Sequence, residues 1–236
     1  MNEMRADPSA VGGALLVATG LHKRFGESVA LRDLSVEIRG GEVVAVLGPS
    51  GSGKSTLLLC LAGIIAPDEG EILYRGRSLV TLSDATRTRL RRNEFGFVFQ
   101  FGQLVPELTA VDNVSLPLRL AGLKRHDAES RAREWLGRLG VDDVAEKRAG
   151  EMSGGQGQRV AVARALVTGP RVVFADEPTG SLDSLNGELV LELMVSAARE
   201  RGTSLVLVTH EARVAAYADR EIVVRDGSIA PAAVLA

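Results

Sequence analysis

The chain predicts an α/β fold in which a mostly parallel sheet is interrupted by an inserted block of helices, and three observations carry that prediction. Apolar runs of strand length alternate with helical patterns toward both ends of the 236 residues, the order produced when crossover helices join parallel strands. Between these regions the stretch from Leu108 to Leu166 reads almost wholly helical. Finally, "VVAVLGPSGSGKST" passes from a buried-strand pattern through a glycine-rich turn into a helix. With 45% hydrophobic residues, a chain of this length can bury one large core.

Taken in order, residues 1–13 are expected to form a loose tail, as chain ends commonly do. Strands follow at Leu15–Leu21, Ser35–Arg39 and Val43–Leu47, then a helix from Lys54, a strand at Glu71–Tyr74, a helix around Asp84–Arg92 and a short strand at Gly96–Phe99. The middle contributes "VDNVSLPLRLAG", "HDAESRAREWLGRLG" and a helix led by Ser153. Strands return at Val172–Ala175, Ser204–Val208 and Glu221–Val224, with a helix at Asn186–Glu200. The resulting division is a core of residues 14–99 and 168–230 around a helical subdomain of residues 100–167.

Composition excludes several classes. A net charge of −2, from 28 basic and 30 acidic residues, offers no general attraction to nucleic acid, and no local basic patch replaces it. Cys60 is the single cysteine, so an internal disulfide is impossible; it lies in "LLLCLAGIIA" and reads as core. That run falls far short of the ~20 apolar residues a membrane span needs, and the first residues do not have the pattern of a secretion signal. A cytoplasmic protein is expected.

Five strand or helix ends carry chemistry. In Gly48-x-x-x-x-Gly53-Lys54-Ser55, small residues let the N–H groups of the loop from Ser50 through Gly51, Ser52 and Gly53 to Thr56 wrap a phosphate; Lys54 reaches the outer phosphates and the Ser55 hydroxyl suits Mg²⁺. This P-loop leaves kinases, GTPases, helicases and transport ATPases open. "RVVFADEP" ends an apolar strand in Asp176, placed to hold Mg²⁺, and Glu177, a candidate general base for an attacking water. "LVLVTHE" delivers His210 to a neighbouring strand tip, and "FGFVFQ" delivers Gln100, whose amide suits a metal or water contact. Ser153 is an N-cap ahead of Gly154 and Gly155, a helix end open to an anion; along that helix Ala161, Val162, Ala165 and Leu166 share a buried face.

Together "GPSGSGKST", "FVFQ", "SGGQGQR", "FADEPTGSLD" and "VTHE", in that order, resemble the nucleotide-binding subunit of an ABC transporter over roughly residues 15 to 230. The resemblance implies a RecA-like core with an N-terminal antiparallel β subdomain and an inserted α-helical subdomain. It implies ATP and Mg²⁺ as ligands, with Ser55, Gln100 and Asp176 at the metal and Glu177, His210 and Gln100 in hydrolysis. Phe25 takes the place of the aromatic that stacks on adenine. A head-to-tail dimer, of like or similar subunits, is implied, in which Ser153, Gly154, Gly155, Gln156 and Asp183 of one subunit serve the nucleotide of the other. Phe25 stands where tyrosine is commoner, Met152 where leucine is usual, and Gly157 where a second glutamine is frequent; none of these threatens ATP binding.

Within the family, "GFVFQFGQLVPELTAVDNVSLPL" and "DEPTGSLD" are similar to the subgroup that includes lipoprotein-release, macrolide-efflux and cell-division ATPases. This implies a membrane permease as partner, export or mechanotransmission as the work, and a position on the cytoplasmic face of the membrane. Phe101, Leu104, Val105 and Leu108 follow Gln100 in an irregular segment, so residues 100–112 are expected to receive a short helix of that permease.

Overall fold

A run of apolar residues with nothing polar between them is stable as a strand only where both faces are covered. Val43–Leu47 (β3), Val172–Asp176 (β7) and Ser204–Thr209 (β8) are such runs, and in the computed structural model, which describes residues 13–230, they lie buried side by side. The expected tail falls, Gly13 apart, outside the described residues. The full sheet adds Phe95–Phe99 (β6), Arg220–Arg225 (β9) and Ser228–Ile229 (β10) in the order β10-β9-β3-β8-β7-β6. Only β10 runs antiparallel to its neighbour.

Alternate side chains of these strands enter two cores. Val43, Val173, Ala175, Leu205 and Leu207 face one, shared with the helices Ala110–Leu120 (α3), Arg125–Arg138 (α4), Gly154–Leu166 (α5) and Ser184–Arg201 (α6). Val44, Val46, Val172, Phe174, Val206 and Val208 face the other, shared with Lys54–Leu61 (α1) and a second sheet. That sheet is antiparallel and has the order β2-β1-β4-β5, built from Ala14–Phe25 (β1), Ser28–Arg39 (β2), Glu69–Tyr74 (β4) and Arg77–Ser78 (β5). The α/β class, the antiparallel β portion and the mostly parallel sheet are as the sequence predicts.

Element boundaries differ where local pattern is weak. β2 begins at Ser28, well before the predicted Ser35, because its first half is irregular: Asp33 has φ 48° and the pairing with β1 shifts register repeatedly. The middle is less continuous than its helical pattern. Thr109 caps α3 through Asp112 N, and between α4 and α5 the chain forms only two 3₁₀ turns, Asp142–Val144 and Ala149–Glu151. A helix at Asp84–Glu94 (α2) and a single turn at Ala212–Ala215 (α7) complete the fold. No helix among the described residues is long and apolar enough to cross a membrane.

Cys60 is fully buried on α1, as its apolar neighbours predict, and burial pushes its thiol pKa up to about 12. The thiolate is the reactive form, so the folded chain should resist a thiol reagent at pH 8. Labelling is expected to follow the unfolding transition in denaturant; rapid labelling of native protein would show that α1 opens locally.

Candidate functional site

Parallel strands paired in register end on one line. Leu47 pairs with Thr209, Asp176 with Val208, and Phe99 with Asp176, so the carboxyl ends of β3, β8, β7 and β6 form a single edge. The P-loop leaves β3 at this edge, Asp176 and Glu177 lie at the end of β7, His210 follows β8, and Gln100 follows β6. Four separate sequence signals are brought together by one sheet.

The loop itself is set by backbone geometry. Gly53, at φ 103°, is the N-cap of α1, and a Cβ there would lie 2.3 Å from the carbonyl oxygen of Ala30. Lys54 is almost completely buried, and its ammonium donates to the carbonyls of Gly48 at 2.8 Å and Pro49 at 2.9 Å, which hold it over the loop. The Ser55 hydroxyl donates to Asp176 Oδ1 at 3.2 Å. Burial lifts the Asp176 carboxyl above the usual aspartate range and the Glu177 charge adds to the lift, while the Ser55 hydroxyl and Lys54 oppose it. Ser52 Oγ is buried among the loop atoms without a partner. An ammonium, a loop of N–H groups, a hydroxyl and a half-buried carboxylate form a donor set that fits a polyphosphate with a hard divalent cation.

Glu177 has φ 47°, a left-handed conformation that costs a non-glycine residue about 1–2 kcal/mol. Its N–H donates to Val208 O at 2.8 Å, and its carboxylate is held at both oxygens: Thr209 Oγ1 donates to Oε2 at 3.1 Å, and His210 Nδ1 lies 2.8 Å from Oε1. The residue thus turns away from the line of β7 and is clamped by the end of β8. Thr209, fully buried, was not among the residues singled out from sequence; its only signal is a polar side chain at the end of an apolar strand.

Gln100 meets the loop that follows Glu177. A Cβ on Gly180 would stand 3.0 Å from Gln100 Nε2, and Ser181 Oγ donates to the Gln100 carbonyl at 2.6 Å. Gln158 binds the same two segments from the helical side: its buried amide donates to Phe99 O at 2.9 Å and Pro178 O at 2.7 Å. Its signal in the sequence is a glutamine on the face shared by Ala161, Val162 and Ala165.

The segment after Gln100 is irregular, as predicted, but it is stapled. Asn113, fully buried, accepts from Val105 N and donates to the carbonyls of Val105, Leu108 and Thr109; Arg164 donates to the carbonyls of Gly102 and Gln103. Phe101 is 76% exposed, whereas Leu104, Val105 and Leu108 are half-buried. Beside the segment an apolar groove of about 590 Å³ runs between β6, α2, α3 and α5, floored by Phe97, Phe99, Leu116 and Pro117 and edged by Arg91 and Arg92.

Ser153 and Gln156 close a capping box at the start of α5: Ser153 Oγ accepts from Gln156 N at 3.3 Å, and Gln156 Oε1 accepts from Ser153 N at 3.0 Å. Gly154 lies against Leu182, and Gly155 against Asn186, where a Cβ would stand 3.0 Å from Oδ1. Asp183 caps α6 by accepting from Asn186 N and Nδ2, bonds that hold its carboxyl below the usual range. Among the described residues no hydrogen bond joins this group to the P-loop. Phe25 stands apart on β1, 53% exposed, with the Lys23 ammonium 5.6 Å from its ring centre.

Comparison with known proteins agrees with this geometry. A family profile described as "ABC transporter" matches residues 31–180. The lipoprotein-releasing system ATP-binding protein LolD 2 of Caulobacter vibrioides is 43% identical over 219 residues, 91% of this chain and 96% of that protein. Among solved structures, the dimeric ATP-binding cassette MJ0796, in a post-hydrolysis state bound to ADP and Pi, aligns with a TM-score of 0.85 at 37% identity, covering 92% of this chain and 97% of that one. CbiO1 from Clostridium perfringens, part of the ABC transporter complex cbiONQ, aligns with a TM-score of 0.83 at 30% identity over 92% and 87% of the two chains.

The P-loop geometry separates two glycines that look alike in sequence. Gly51, at φ 78°, has nothing within 4 Å of a built Cβ, whereas Gly53 meets Ala30. Gly51→Ala should cost about 1 kcal/mol of backbone strain, and Gly53→Ala about 3 kcal/mol or more as the clash is added. Urea denaturation of both variants checks the order.

Proposed function

The chain belongs to the ABC transporter family, as an ATP-binding subunit that hydrolyses ATP to ADP and phosphate, and from that premise we propose how its residues divide the work. Lys54 and the N–H groups of Ser50 to Thr56 hold the phosphates, with Phe25 stacking on the base. Ser55, Asp176 and Gln100 would hold Mg²⁺, which supplies positive charge to the outer phosphates. Glu177 takes the proton of the attacking water, and His210 orients its carboxylate. The observation that carries this assignment is the clamp: a strained backbone at Glu177 and two fixed carboxylate oxygens make a preorganised acceptor beside the P-loop edge.

The core is assigned to residues 14–99 and 168–230 and the helical subdomain to 100–167. The related MJ0796 cassette is dimeric. In a head-to-tail dimer, Ser153, Gly154, Gly155, Gln156 and Asp183 of one copy would close over the nucleotide of the other, with the N–H groups of Gly154 and Gly155, which the capping box does not use, as donors. The subunit sits on the cytoplasmic face of the membrane through a permease, whose short cytoplasmic helix contacts residues 100–112 and the adjoining groove. The likeness to LolD 2 supports lipoprotein release as the process served.

Glu177→Gln keeps the shape of the side chain and removes the base, so hydrolysis should fall about 100-fold while ATP binding is retained. Turnover near the wild-type rate would move the base elsewhere. Lys54→Ala should weaken ATP binding about tenfold or more by removing the main cation from a partly dry site. Ser153→Arg should abolish ATP-driven dimerisation, read by light scattering, yet leave the monomer's affinity for ATP intact. In the segment after Gln100 and in the groove beside it, Phe101→Glu and Leu120→Glu change side chains that are 76% and 60% exposed. Both variants should fold and bind ATP but lose co-purification with the permease; retained association would place the contact on another surface.

A further inference from the structure

Phe25 lies near the tip of the β1–β2 hairpin, where residues 24–28 are all exposed. An exposed tip cannot hold an aromatic ring at a set distance from the P-loop without anchors on both strands. The β2 side has one: Ala30 O packs against Gly53 and Gly227, and Arg32 N donates to Gly227 O at 2.8 Å. On the β1 side the pairing with β4 ends at His22 and Glu69, and the anchor beyond it is Asp68, in the connection from α1 to β4.

Asp68 bonds to three consecutive residues of β1. Its N–H donates to His22 O at 2.8 Å, its Oδ1 accepts from Lys23 Nζ at 2.8 Å, and its Oδ2 accepts from Arg24 N at 2.7 Å. The residue after these three is Phe25. The Lys23 ammonium, fixed by Asp68, also stands over one face of the Phe25 ring, so the opposite face is the one left for a base. The α1 helix begins at Lys54, the cation of the P-loop, and the connection that leaves its other end closes on the hairpin at Asp68.

We propose that Asp68 is a positioning residue for the nucleotide base: by fixing Lys23 and the backbone of Arg24 it sets the distance and the open face of Phe25 relative to the P-loop. Freed of the carboxylate, the strand end and the ring sample more positions, and ATP finds the stacking geometry in only a fraction of molecules. Affinity falls to that fraction of its value. The phosphate site, built on β3 and α1, is untouched. The inference rests on the reading of Phe25 as the stacking residue.

The test is equilibrium binding of Mg·ATP and of Mg·tripolyphosphate, which has phosphates and no base, to the full chain and to Asp68→Asn and Phe25→Ala. The Asp68 side chain is 45% exposed, so the isosteric asparagine should fold, and tripolyphosphate binding reports that the P-loop is intact. Asp68→Asn should weaken ATP about threefold to tenfold, with tripolyphosphate affinity within about twofold of wild type. In turnover, KM for ATP should rise with kcat unchanged. Unchanged ATP affinity in Asp68→Asn, with Phe25→Ala impaired, overturns the inference alone. Equal losses for ATP and tripolyphosphate also overturn it, by showing that Asp68 acts through the phosphate site. Unchanged ATP affinity in Phe25→Ala overturns the stacking reading and the inference with it.

Discussion

The in-register pairing of four parallel strands is the constraint on which the rest of this structure depends. Because β3, β8, β7 and β6 end on one line, residues far apart in the chain emerge within reach of one another: the P-loop after Leu47, His210 after Thr209, Glu177 after Asp176, and Gln100 after Phe99. A parallel sheet demands that both faces be covered, and the alternation of side chains along each strand is met here by two separate cores, Leu205 and Leu207 to one side and Val206 and Val208 to the other. Packing therefore does more than stabilise the sheet. It fixes the register, and the register fixes the site.

The edge is then sharpened by local strain. Glu177 adopts a conformation that disfavours any side chain, and it is retained because a backbone bond to Val208 and the Thr209 and His210 contacts together over-determine it. A flexible carboxylate would lose rotamer freedom each time it met a water; this one has already been ordered by folding. On the other flank Gln158 joins the end of β6 to the loop after Glu177, so the helical block and the strand-tip edge share a buried amide in place of a slack connection.

The hairpin that bears Phe25 belongs to the second sheet, and its relation to the P-loop is not a matter of register. It is held by contacts across a seam: Ala30 against Gly53 and Gly227 on one strand, Asp68 against residues 22–24 on the other. The base and phosphate ends of the proposed ATP site thus have different structural origins, and they can be perturbed separately. The capping box at Ser153 shows a third arrangement, a helix end only partly satisfied within its own chain, whose remaining N–H groups, on Gly154 and Gly155, have their proposed use only across a dimer.

The sequence by itself determined the α/β class, the extent of β3, the start of α1 and the residue types at each strand tip, since apolar runs and glycine spacing are local properties that a single chain displays. It also exposed Ser153 as a cap and Cys60 as core. What it could not display were relations between segments. The early half of β2 was hidden by a bulged register that breaks the alternation a strand is known by. Thr209 and Gln158 show only a polar side chain set in an apolar pattern, and Asn113 and Asp68 no signature at all, because each matters through a partner in another segment: Glu177, Phe99 and Pro178, the segment from Val105 to Thr109, and the end of β1. A hydrogen bond between distant residues depends on where folding brings two backbones, and only the tertiary structure decided that.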